Sequence, residues 1–140
     1  MDFLAASPIP WLPTEIAYLA LGLVLLGVHI NFQSILLTIQ LGSDYNTSAR
    51  DEERKVTGVA ARAERALRNF NETFPAFAVL ALAVNVTGSA DWWTGFGAAL
   101  WFWSRVAYLP LYLYGVARWR SAVFILSAIG LVILFVGLVF

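Results

Sequence analysis

Arg62, Arg65, Asn69 and Glu72 follow one another at steps of three, four and three residues. At about 100° per residue these steps fall on one face of a helix, and Arg68 flanks that face. Guanidinium groups fork onto carboxylates. A carboxylate receives an ammonium, and an amide pairs with other amides. The set suits a small zwitterion bearing two carboxylates and an ammonium, and glutathione is one such molecule. Charged groups at the edge of an apolar helix are costly unless they face a bundle interior or a wet cavity. Plainer readings stay open beside this one: Arg62 and Arg65 as anchors snorkelling to lipid headgroups, and Glu72 as the ion-pair partner of an arginine on a neighbouring helix.

A second constellation lies downstream. Arg105, Tyr108 and Tyr112 share a helical face at steps of three and four. Arg105 is the lone charge between Trp92 and Ala117, so it requires a partner, and Glu72 is the candidate. Tyr114 reads as an interface aromatic. Arg118, Arg120 and Ser121 come next, and both arginines are also readable as headgroup anchors. Cysteine is absent, which excludes disulfides, thiolate metal sites and a cysteine nucleophile. A single histidine leaves no histidine-based metal cluster, and no metal site is expected.

The elements that must position these residues are apolar and long. Of 140 residues 60% are hydrophobic and 13% charged, about half the usual charge fraction, which points to a membrane. Nine basic and nine acidic side chains cancel, and nothing in that balance favours nucleic acid. Ile16–Ser43, Thr73–Ala90 and Ser121–Phe140 contain no charge. A spanning helix needs about 20 mostly apolar residues. The runs lack the alternation of barrel strands, so the pattern predicts helices near 14–41, 62–87, 92–116 and 120–140. Together they form a single all-α, integral membrane four-helix domain over residues 1–140. Pro8, Pro10 and Pro13, with Asp2 and no basic residue, argue against a signal peptide at the N-terminus.

Basic residues set the expected orientation. Arg50, Arg54, Lys55, Arg62, Arg65 and Arg68 crowd the first connector, and Arg118 and Arg120 the third; the termini and the Gly88–Asp91 connector have none. The positive-inside rule then puts both termini outside and the first and third connectors in the cytoplasm. The mixed charges of the first connector, among them Asp44, Asp51, Glu52 and Glu53, read as a folded or helical loop. Asn-x-Ser/Thr triplets at Asn46, Asn71 and Asn85 read as fortuitous.

Arg65 to Thr73 reads R-A-L-R-N-F-N-E-T and is followed by Phe74 and Pro75. Its R-x-x-R-N-x-x-E-T core resembles the second-helix signature of the MAPEG family, the membrane-associated proteins in eicosanoid and glutathione metabolism. Length, helix number and orientation fit a bacterial-type member over nearly the whole chain. The resemblance implies a homotrimer of four-helix subunits, with glutathione held between subunits near the cytoplasmic face. It implies that Arg68, Asn69 and Glu72 contact glutathione with Arg65 beside them, and that Arg105, Tyr108 and Tyr112 face the same ligand. Arg120 and Ser121 resemble the family's Arg-Ser pair near the glutathione sulfur, where a cation and a hydroxyl favour the thiolate; Arg118 is the alternative for the first role. The first helix lacks the arginine that family members often carry toward its cytoplasmic end. His29, Gln33 and Gln40 share a face there and read as interhelical hydrogen-bond partners.

The expected function is glutathione-dependent transferase or peroxidase-like chemistry on a lipophilic small molecule arriving from the membrane lipids. The alternative is a non-enzymatic integral membrane protein of the same fold with a lost or altered ligand. A transporter subunit is disfavoured by the absence of inverted-repeat symmetry.

Overall fold

A computed structural model describes residues 6–49, 51 and 54–140, so Asp2, Arg50, Glu52 and Glu53 lie outside the described residues. The described chain is helical: α1 Thr14–Leu41, α2 Ser43–Thr47, α3 Gly58–Val86, α4 Trp92–Leu113 and α5 Ala117–Val139. The expected spans of the long helices hold within a few residues, except that α3 starts four residues before residue 62. The first connector contains the short helix α2.

Local chemistry sets the helix ends. α1 starts directly after Pro13, which cannot donate into a preceding turn. α4 opens with a capping box: the Thr94 amide donates to Asp91 Oδ1 at 2.9 Å, and the Asp91 amide reaches the Thr94 hydroxyl at 2.8 Å. α3 and α4 both close with a glycine in left-handed backbone, Gly88 at φ 73° and Gly115 at φ 75°. The residue after each glycine donates back into the last turn, Ser89 to the Val84 carbonyl and Val116 to that of Leu111. The second of these turns fixes where α5 starts beside the end of α4.

The four long helices pack against one another, with α3 and α4 in contact and α1 and α5 on opposite flanks, not touching each other. At the centre, Trp101 stacks on Phe77 with ring centroids 3.9 Å apart and planes 6° from parallel. Phe70, Tyr18 and Leu134 fill the space around this pair. α4 and α5 meet through glycines. A Cβ on Gly130 would lie 2.6 Å from the Gly97 carbonyl oxygen and 2.8 Å from the Trp101 amide nitrogen. Such close backbone approach is how apolar helices gain packing contacts where no hydrophobic force drives them together.

α1 and α5 are long and apolar enough to cross a membrane, and the rest of the chain buries only a small part of either. Ile30, Val79, Trp103, Ile125 and Phe135 point outward and are exposed. So large an apolar exterior requires lipid or another protein surface against it.

Candidate functional site

α4 carries Arg105 into the interior, where it is 1% exposed. Its Nη1 donates to Asn69 Oδ1 at 2.7 Å. The guanidinium also lies over the rings of Phe124 and Tyr108, 5.2 and 5.4 Å from their centroids. Its Nε has no hydrogen-bond partner. The lone charge of α4 thus finds the amide of Asn69 and not Glu72, the partner expected from sequence. Glu72 lies three residues, and so about 60°, around α3 from Asn69. With Asn69 aimed at α4, Glu72 points away and is exposed.

Outside Arg105 a cleft of about 420 Å³ opens between α3, α4 and α5, lined by Asn69, Tyr108, Tyr112, Arg120, Ser121 and Phe124 among others. The Arg120 guanidinium lies over the Tyr112 ring at 4.7 Å, and the rings of Tyr108 and Tyr112 sit 5.4 Å apart. Arg118 is exposed on the same turn and does not line the cleft. Ser121 lines it, but its hydroxyl donates to the Ala117 carbonyl at 3.1 Å. One guanidinium, two phenols and an amide make the cleft rich in donors and poor in negative charge. Such a site can hold an anion or stabilise negative charge that develops in a reaction.

The remaining sequence-identified residues lie elsewhere on the same chain. Arg68 and Glu72 line a groove of about 420 Å³ on another side of α3, with Gln33 of α1 and Asn71. Arg65 and Arg68 line an adjoining pocket closer to the first connector. The single face read from the spacing is therefore wide enough to be divided. Asn69 turns to α4, and Arg65, Arg68 and Glu72 turn to the α1 side. Arg62 takes neither role expected of it: its Nε donates to the Leu113 carbonyl at 2.8 Å. It satisfies one of the carbonyls that the last turn of α4 leaves open.

His29 departs from its expected role. It is buried against Phe70, ring centroids 4.8 Å apart, and neither ring nitrogen has a hydrogen-bond partner. Gln40 does bridge helices, exchanging two hydrogen bonds with Thr57 at the start of α3. Sequence reasoning missed Glu15. It is 2% exposed at the far end of the helices from the first connector, receiving the Thr94 hydroxyl and, at 3.3 Å, the Asn85 amide. The available signal was an acid in the first turn of an apolar helix, next to the Asp91–Thr94 capping pair at the start of another. That pattern reads as an ordinary flanking charge until the helices are assembled. Trp11 and Tyr114 are exposed, as interface aromatics would be.

The MAPEG family model matches residues 15–140. No curated protein and no solved structure matches the chain.

Proposed function

Because the chain belongs to the MAPEG family, a membrane-protein family of glutathione and eicosanoid metabolism, we propose that it is a glutathione-dependent membrane enzyme acting on a lipophilic electrophile. The observation that carries this reading is the cleft in which Asn69, Tyr108, Tyr112, Arg120 and Ser121 converge from three helices beside the buried Arg105. In this reading all four long helices cross the bilayer, with both termini outside, and the chain forms a homotrimer.

The residues fit glutathione when two copies are combined. One cleft offers a single surface guanidinium, whereas Arg65, Arg68 and Glu72 open to the α1 side of α3. A neighbour's α1–α3 groove set against the cleft supplies the second carboxylate partner and the acceptor for the ammonium. Arg68 then holds a carboxylate, Glu72 the ammonium, and Asn69 an amide of the backbone. Glutathione, when bound, supplies the thiol that attacks or reduces the electrophile. Arg120 contributes the positive charge that favours the thiolate form, and stacking on Tyr112 holds its guanidinium in place. The Ser121 hydroxyl donates to the same sulfur only after leaving the Ala117 carbonyl. Arg105 sits behind the ligand, fixing the orientation of the Asn69 amide.

Calorimetric titration of glutathione into detergent-solubilised protein, wild type beside Glu72→Gln, tests the reading. Binding to wild type that weakens in the variant is expected. No binding at millimolar glutathione refutes the enzyme reading.

A further inference from the structure

At the first-connector end of the helices lies a pocket of about 310 Å³ that the cleft chemistry does not use. Arg54 and Lys55 line it from the connector, Arg65 and Arg68 from α3, and Glu64 is its one acid among the described residues. We propose that this pocket binds a phosphate-bearing anion.

The walls are held in place by hydrogen bonds. The Asn46 side chain ties α2 to α1 through Ser34 at 3.1 Å and Thr38 at 2.8 Å. The Arg54 backbone amide donates to the Tyr45 hydroxyl at 3.0 Å, and the Arg54 guanidinium lies over the Tyr45 ring at 5.1 Å. The Gln40–Thr57 pair clasps the end of α1 to the start of α3. The connector is thereby closed over the first turns of α3, and its cations are delivered to the same opening as Arg65 and Arg68.

Charge decides the ligand class. Four cations face one carboxylate, and Lys55, Arg65 and Arg68 make no hydrogen bond or ion pair among the described residues. Thr57 makes no side-chain cap on α3, whose positive dipole end adjoins the pocket through Ala61. Like charges gathered this closely repel one another unless an anion neutralises them. A phosphate group, with several charged oxygens, answers multiple guanidinium donors better than a single carboxylate does. The phosphate comes either from a phospholipid headgroup, which lies at this level of a bilayer, or from a soluble phosphate compound. Arg54 and Lys55, which distinguish the pocket, have no part in the glutathione reading.

The test uses the full chain in mild detergent. Inorganic phosphate, phosphatidylglycerol and phosphatidylcholine are titrated separately, with glutathione alongside. Binding of phosphatidylglycerol alone identifies a lipid headgroup, and binding of inorganic phosphate as well identifies a general phosphate site; both support the proposal. Arg54→Gln/Lys55→Gln is expected to weaken that binding roughly thirtyfold, at about 1 kcal/mol per cation, with glutathione affinity unchanged. Glu64→Gln, which removes the opposing charge, is expected to tighten it. The proposal is overturned if neither phosphate probe binds, or if the double variant binds as wild type does. It is also overturned if the double variant loses glutathione affinity while phosphate has no effect, an outcome that leaves the thiol-enzyme reading standing. Phosphate binding without any glutathione binding sinks the enzyme reading and leaves this site intact.

Discussion

Replacing Asn69 by leucine removes the one hydrogen-bond acceptor that the Arg105 guanidinium has among the described residues. Arg105 is 1% exposed, so water does not replace the lost partner without opening the helices. A hydrogen bond to a charged group contributes about 1.5–3 kcal/mol, and stranding a buried charge costs about 3–5 kcal/mol. Two effects reduce this. The Phe124 and Tyr108 rings still face the cation, retaining about 0.5–2 kcal/mol. Polar pairs between membrane helices also contribute less than pairs in soluble cores, about 0.6 kcal/mol on average. Asn69→Leu is therefore expected to destabilise the protein by about 2 kcal/mol. Arg105→Leu leaves only a half-buried neutral amide behind and costs less. The double variant strands no charge and is expected to be more stable than Asn69→Leu alone. Equilibrium unfolding in mixed micelles, followed by tryptophan fluorescence, measures all three variants. If Asn69→Leu falls within about 0.5 kcal/mol of wild type, the range of an inconsequential surface change, the Asn69–Arg105 bond has no energetic role. If the two single costs simply add in the double variant, the residues are not coupled and the reasoning fails.

Gly130→Ala is expected to force α5 off α4, because the new methyl would lie 2.6 Å from the Gly97 carbonyl. An overpacking cost of about 1–3 kcal/mol follows, whereas Gly27→Ala, with nothing within 4 Å, is a neutral control; equal unfolding midpoints would refute the packing argument. Glu15→Leu leaves the Asn85 amide without its carboxylate and is expected to cost about 1–3 kcal/mol. Thr94 keeps the Asp91 carbonyl at 2.9 Å, so Glu15→Leu/Asn85→Leu should recover part of the loss, measured by the same unfolding assay. Arg120→Ala is expected to leave glutathione affinity within a few-fold of wild type while raising the thiol pKa of the bound ligand, read from thiolate absorbance across pH. Arg68→Ala should instead weaken binding by roughly 1.5–3 kcal/mol, read by calorimetry, without moving that pKa. If Arg118→Ala raises the pKa and Arg120→Ala does not, the fourth-helix assignment is wrong.

The long helices were legible in the sequence because length and uninterrupted hydrophobicity are local properties. Ile16–Ser43 and Ser121–Phe140 are long charge-free runs whatever surrounds them, and Pro13, Asp91 and Gly115 punctuate them chemically. The family was legible for a similar reason: the Arg65–Thr73 signature is a contiguous string. The division of the site was not. Helical spacing fixes the angles between Arg65, Asn69 and Glu72, but not which angle the helix turns toward a neighbour. The burial of Phe70, Phe77 and Ala81 sets that rotation, and it aims Asn69 at Arg105 while sending Glu72 past it. Glu15 was hidden for the complementary reason. Its partners Asn85 and Thr94 lie 70 and 79 residues away along the chain, and a carboxylate at a helix start looks solvated until three helix ends are packed around it. Sequence alone determined which elements form and which residue types they present. Tertiary packing alone decided which of those residues meet, because rotation and pairing of helices depend on contacts between segments distant along the chain.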